Sequence, residues 1–266
     1  MKKINSISDY KKQIKKEKIM ITLIQFALIG IIFSLWELLT RYNILNSFLL
    51  SSPSKVFILL AKYISSGEIF AHIYISTLET ILGLVISLTG GILIATLLYL
   101  CPIASKILDP YLVLLNALPK SAIAPILIIW LGTGLKGIVG VSVSFVMIIT
   151  IINTLNYFKN VDNDLIIMMK SMKASKLQIL FKVVFPSNLM NILSTIKVCI
   201  GLSWVGVIVG EYLASRQGLG YLVMYGGQVF KLDLVMMGIL ILSIIAFMMY
   251  GIVVLIEKLL KKRYQL

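Results

Sequence analysis

Two lysines stand where a lysine is hard to keep. Lys120 and Lys197 fall inside long apolar runs of a 266-residue chain that is 59% hydrophobic, with a mean hydropathy of +0.99. An ionisable group placed inside a membrane span costs on the order of 3 kcal/mol unless it faces a cavity or a partner. If both lysines line a passage, the chemistry they offer is capture of an anion. The other readings are that Lys197 extends its stem to the membrane surface, or that the lysines pair with an acidic neighbour such as Glu79 or Glu211. Other chemistry has little material. His72 is the only histidine. Cys101 and Cys199 lie in or beside apolar segments without metal-ligand spacing, and read as small core hydrophobes. No nucleophile–base motif is present. "GTGLKG" (132–137) has neither the spacing nor the Ser or Thr of a G-x-x-x-x-G-K-[ST] phosphate loop. No catalytic residue, metal or bound cofactor is expected of this chain.

A second feature is basic and amphipathic. "SMKASKLQILFKVVFPSN" (171–188) interrupts the apolar sequence with Lys173, Lys176 and Lys182. From Asp162 the pattern is helical: "DNDL" supplies capping residues, and Leu165, Met168, Met169 and Met172 follow helical spacing. After a turn at "KAS", Leu177, Leu180, Phe181 and Val184 repeat at i, i+3, i+4 and i+7, and Pro186 is expected to end the run. This predicts two short amphipathic helices. Their apolar faces suit either the membrane surface, with lysines on lipid headgroups, or a groove in a partner protein, for which flexible methionines are apt.

Both features require spanning elements to hold them. A helix crosses about 30 Å of hydrocarbon in roughly 20 residues, and six apolar runs fit: about 19–40, 74–100, 108–131, 137–155, 189–210 and 234–256. In hydrocarbon the backbone must satisfy itself, so each should be a helix. The third contains Pro119, Lys120 and Pro125 and should be kinked or broken. The first run follows a basic tail but lacks a small-residue cleavage site, so it reads as a retained span. A net charge of +14 would point to nucleic acid in a soluble protein; here it sets orientation. With both termini inside, the inner segments hold 17 Lys plus Arg and the outer ones six, as the positive-inside rule requires. The chain divides into a basic tail, 1–18; a first span with an interfacial helix beginning near Pro53 and ending near Gly67, 19–73; a core of five spans, 74–258, containing the loop 156–188; and a second basic tail, 259–266.

The loop resembles the signature loop of bacterial ABC importer permeases. "KASKLQILFKVVFPSNL" is similar to the usual "GAS..QIF.KVVLPSAL", with Ala174, Ser175, Gln178, Lys182, Val183, Val184 and Pro186 at matching positions. The signature Glu-Ala-Ala falls on Ile167, Met168 and Met169, and its glycine on Lys173. "SGEIFAHIYISTLETILGLVISLTGGI" (66–92), "LDPYLVLLNALPKSAIAPILIIWLGTG" (108–134) and "LSWVGVIVGEYLASRQGLGYLV" (202–223) resemble the branch that carries aliphatic sulfonates, taurine and nitrate. About 190 of the 266 residues are covered, in the same order.

The resemblance implies an all-α, polytopic type I ABC importer permease of about six spans in the bacterial cytoplasmic membrane, with both termini cytoplasmic. It implies two copies of a separate ATPase that carries ATP and Mg, an extracytoplasmic solute-binding protein, a permease homodimer, and lipid but no nucleic acid as partners. The ATPase would dock on Met169, Lys173, Ala174, Ser175, Lys176, Gln178, Lys182 and Pro186. Lys120, Lys197, Trp204, Glu211, Gly218 and Gly220 are candidates for the pathway or its gate, with "GLGYLVMYGG" (218–227) either a re-entrant turn or a surface loop. The solute would be a small anion such as an alkanesulfonate, taurine or nitrate. A vitamin or heterocyclic precursor is the alternative within the same architecture. A secondary transporter is the alternative from another class; against it stand few buried acids and no visible inverted repeat.

Overall fold

The computed structural model describes residues 7–42, 44 and 50–264. The first six residues of the basic tail, and Gln265 and Leu266 of the second, lie outside them. The described residues are almost entirely helical, and no strand occurs among them. The elements that can be described follow one another as α1 (Ile7–Arg41), α2 (Pro53–Ser66), α3 (Glu68–Leu100), α4 (Pro102–Ala117), α5 (Lys120–Leu131), α6 (Leu135–Lys159), α7 (Asn163–Ser171), α8 (Lys176–Ile179), α9 (Phe185–Ser187), α10 (Leu189–Ala214), α11 (Leu219–Gln228) and α12 (Leu232–Tyr264). A five-residue π-helical turn, Leu180–Val184, joins α8 to α9.

Among the described residues, five helices are long and apolar enough to span a membrane: α1, α3, α6, α10 and α12. The remaining run, the third, is not one rod. α4 and α5 meet at 96° across Leu118 and Pro119. Pro119 has no N–H to continue the helix, and it holds Leu118 in an extended conformation (ψ 136°). The stretch left between the runs 74–100 and 108–131 is not a loop but the first turns of α4, which starts on Pro102. α2 likewise begins on a proline, with Ser52 accepting from the Lys55 N–H, and stops at Gly67, whose φ is +80°.

Three spans form the centre. A hydrogen-bond chain ties them together: the Ser142 hydroxyl on α6 lies 2.9 Å from Ser203 Oγ on α10, and Ser203 donates to the Thr80 carbonyl on α3 at 3.0 Å. Polar links of this kind hold helices together where lipid outside offers no hydrophobic driving force. The link depends on missing side chains. A Cβ on Gly206 would sit 2.6 Å from Ser142 Cα, and one on Gly83 would sit 2.7 Å from Ser142 Cβ.

Around this trio, Leu219, Leu222 and Val223 of α11 pack with Leu234, Met237 and Ile241 of α12 in the main apolar core. α1 stands apart, its apolar residues exposed from Ile19 to Leu38. Trp36 touches the edge of the core, and Glu37 receives the Ser54 N–H (3.0 Å) and hydroxyl (2.9 Å) at the start of α2. An apolar surface of this extent is stable only against hydrocarbon.

Gly206→Ala is expected to destabilise the protein by about 1–3 kcal/mol, because an added methyl overpacks a backbone contact. Gly201→Ala, whose methyl meets nothing within 4 Å, is expected to leave stability unchanged. Thermal unfolding of both variants in one detergent makes the comparison; equal midpoints would contradict the packing argument.

Candidate functional site

The basic segment folds by local capping. Asp162 precedes α7 and accepts from the Asp164 N–H at 2.9 Å. At the other end, the Lys173 N–H donates to Lys170 O (2.9 Å) and the Ala174 N–H to Met169 O (3.0 Å). These two bonds make a Schellman motif, in which the residue after the C-cap takes the left-handed conformation normally given to glycine. That residue is Lys173, with φ +57°. The lysine at the signature glycine position thus keeps the glycine's turn, at the energetic cost of a Cβ in that region. Met169 and Ala174, at the two ends of the motif, both pack inward rather than outward.

α8 opens with a reciprocal cap. The Ser175 N–H donates to Gln178 Oε1 (2.8 Å), and the Gln178 N–H donates to Ser175 Oγ (3.3 Å). Pro186 does not end the run. The preceding turn widens to π geometry, with the Phe185 N–H reaching back to Leu180 O. The wider turn relieves the clash that a proline makes with the preceding turn, and the chain continues through α9 towards α10. The expected terminator is a joint.

The apolar stripe of α8 proves two-sided. Leu180 and Val184 are buried with Phe158 of α6 and Ile192 of α10, and Tyr99 and Leu100 of α3 pack beside them. Leu177 and Phe181 (65% exposed) face outward, joined by Ile167, Met168 and Met172 (72% exposed) from α7. Lys173, Ser175, Lys176, Gln178, Lys182 and Pro186 are all exposed on the same segment. The segment therefore displays one apolar, lysine-flanked surface while being anchored to the ends of three spans.

Of the pathway candidates, two separate and three converge. Lys197 pairs with Glu257 on α12 at 2.7 Å, not with Glu79 or Glu211. Its i+4 neighbour Lys261 shares that carboxylate at 2.8 Å. Lys120 is near the surface, its Nζ donating to Asn116 O at 3.0 Å. The two lysines thus form no common anion site within this chain. Trp204 is buried in the core.

Glu211, Gly218 and Gly220 come together at the end of the bundle opposite the basic segment. Glu211 is fully buried, its Oε1 receiving the Ser76 hydroxyl (2.5 Å) and its Oε2 the Tyr221 N–H (3.1 Å). The Leu219 N–H donates to Ser76 Oγ (2.7 Å), and the Gly218 N–H to His72 Nδ1 (2.9 Å). The free N–H groups at the start of α11 are thus satisfied by one buried carboxyl, one hydroxyl and one imidazole. Both glycines are required sterically: a Cβ on Gly218, at φ +116°, would overlap the Glu211 carboxyl, and one on Gly220 would lie 3.0 Å from Oε2. "GLGYLVMYGG" is therefore a short helix docked on α3, not a free loop. His72, Ser76 and Glu79 were not foreseen as a set. Their i, i+4, i+7 spacing places them on one face of α3. A cavity of about 520 Å³, lined by Glu79, Thr133, Gly134, Arg216 and Gln217 among others, lies beside this cluster.

Residues 87–262 match the family described as binding-protein-dependent transport system inner membrane component. The chain belongs to that family. A Bacillus subtilis (strain 168) permease named for aliphatic sulfonates transport, SsuC, is 29% identical over 88% of this chain and 85% of its own. The Escherichia coli (strain K12) taurine transport system permease protein TauC is 25% identical over 83% and 82%. The formylaminopyrimidine transport permease protein ThiX of Halalkalibacterium halodurans is 28% identical over 70% and 74%. Among solved structures, the inward-facing MetNI methionine ABC transporter aligns at a TM-score of 0.56 and 14% identity, over 73% of this chain and 94% of that one; this likeness shows the fold, that of a type I ABC importer permease. The protein is thus a multi-pass transport permease of the inner-membrane component family.

In this permease, Lys173→Gly is expected to remove about 1 kcal/mol of left-handed strain, and Lys173→Val, β-branched at positive φ, to add to it. Amide exchange across 170–178 reads both: protection should rise with glycine and fall with valine. The reverse order would reject the Schellman assignment.

Proposed function

We propose that this chain is the translocation subunit of an ATP-driven importer for a small solute, with α7 and α8 as the place where a separate ABC ATPase docks. The observation that carries this is the two-sided segment: Ile167, Met168, Met172, Leu177 and Phe181 face outward, while Leu180 and Val184 are seated against α3, α6 and α10. A groove on the ATPase covers the outward face. ATP and Mg sit on the ATPase, two copies of which act on a homodimer of this chain, and a solute-binding protein delivers cargo to the opposite end. The basic segment and both termini then lie in the cytoplasm, in accord with the distribution of Lys and Arg.

Closure of the ATPases pulls the docked helices, and the pull passes through the π-turn into α10. The names of the SsuC and TauC relatives favour a sulfonate or taurine-type anion as cargo. A heterocyclic precursor is the second reading, favoured by the ThiX relative and by a riboflavin transport system permease protein, RibX, of Chloroflexus aurantiacus. Within this chain, Lys197 is neutralised by Glu257 and does not bear on the choice.

Met172→Asp with Phe181→Asp is expected to lower co-purification of the ATPase by at least about tenfold, since central apolar anchors dominate such interfaces. ATP-dependent uptake in proteoliposomes should fall with it, while membrane insertion is kept. Full association and uptake in the double variant would reject the docking assignment.

A further inference from the structure

Glu211 acts only as an acceptor. Ser76 takes the Leu219 N–H on its oxygen, and among the described residues its own proton has no acceptor other than Glu211. The Tyr221 N–H donates to the second oxygen. Donors converging on both oxygens mark Glu211 as an ionised carboxylate at the positive end of α11.

The side chain that meets it from α3 is another carboxyl. Glu79, one turn beyond Ser76 on the same face of α3, is 2% exposed, and its carboxyl adjoins that of Glu211. No N–H or O–H group donates to its buried Oε2. Two ionised carboxylates in contact inside an apolar bundle repel strongly, and a hydrogen bond between carboxyl groups exists only if one of them carries a proton. The surrounding groups supply no compensating charge. His72, on α3, spends its Nδ1 on the Gly218 backbone, 2.9 Å from the amide nitrogen and 3.1 Å from the carbonyl oxygen. Tyr212 of α10 and Tyr221 of α11 are uncharged phenols. From α6 the nearest wall is Ile138, with Lys136 exposed, and Arg216 lines the neighbouring cavity but is exposed. Lys197 and Lys261 pair with Glu257, away from this cluster.

We propose that Glu79 is a proton-binding site: it holds a proton, donates it to Glu211, and so latches the start of α11 onto α3. When the proton leaves, through the adjoining cavity, both carboxyls are anions. Their repulsion then works against the Ser76 and Tyr221 contacts. The chemistry of the latch is independent of transport. Its consequence, a solute gate that loosens as pH rises, rests on the proposed function.

Two measurements on the full-length protein in lipid nanodiscs test this without transport. Infrared spectra of wild type at neutral pH should show the C=O band of a buried protonated carboxylic acid, lost on titration to alkaline pH and absent in Glu79→Gln. A band that Glu79→Gln leaves unchanged, or no such band in wild type, overturns the proposal. Amide exchange at 219–221, corrected for its intrinsic pH dependence, should lose about tenfold in protection across the same titration, because the hydrogen bonds there weaken. Glu79→Gln, whose amide still donates to Glu211, should keep that protection at every pH. Wild-type protection that does not change as the band disappears also overturns the latch. Should uptake fail in every assay while the band behaves as expected, the transport reading falls and the proton site stands.

Discussion

The approach of α3, α6 and α10 around Ser142 is the constraint on which the rest of this permease depends. Its exterior lies against hydrocarbon, so burying apolar surface gives the bundle little of the driving force that it gives a soluble protein. Close packing and interhelical hydrogen bonds must replace it, and both are concentrated where Gly83 and Gly206 admit the Ser142–Ser203–Thr80 chain. With that crossing fixed, α10 has one position. Its 26 residues then form a rod of about 39 Å, at about 1.5 Å per residue. One end leaves the π-turn behind the proposed docking segment, and the other carries Glu211.

The two ends of that rod are held by different physics. At the docking end the contacts are apolar: Leu180 and Val184 sit among Phe158, Val161 and Ile192. Such contacts tolerate small sliding, since they have no preferred direction. At the far end Glu211, Ser76 and His72 satisfy specific N–H groups of α11, and hydrogen bonds weaken steeply once their angles change. A displacement entering at the docking end can therefore be passed along α10 with the apolar seat intact, and it is resolved at the far end by contacts that are either made or broken.

Much of this was legible in the sequence. The all-α class, the apolar runs and the paired amphipathic helices follow from hydropathy and periodicity, which act locally. The capping residues around 162 and 175 were visible for the same reason. Pro186 does not end the helix because the rule that it should presumes α geometry, and the π-turn before it makes room for the ring while Leu180 and Val184 keep a tertiary seat that local pattern does not show. The start of α4 was placed late because its first turns are polar enough to pass for a loop. Lys197 was offered the wrong acids, since Glu257 lies sixty residues away and hydropathy gives no helix adjacency. His72, Ser76 and Glu79 had the spacing of one helix face. The target of that face, the start of α11, could not be read from one helix alone.

If the proposed docking segment is to receive a partner, its order must come from caps and not from burial. A surface that is to receive a partner has to leave its large apolar side chains exposed, so Met172 and Phe181 cannot help to fold the helices that carry them. Helices as short as α7 and α8 are unstable in isolation. The Schellman turn at Lys173 and the Ser175–Gln178 box supply local order that does not use the exposed face, and Leu180 and Val184 supply the tertiary anchor. Pre-ordering of this kind reduces the entropy lost when the face is covered. It also explains why a lysine is tolerated at the glycine position. The two hydrogen bonds of the turn and the packing of Met169 and Ala174 on the buried cluster outweigh a strain of about 1–2 kcal/mol, whereas a looser turn would leave the apolar face without a fixed shape.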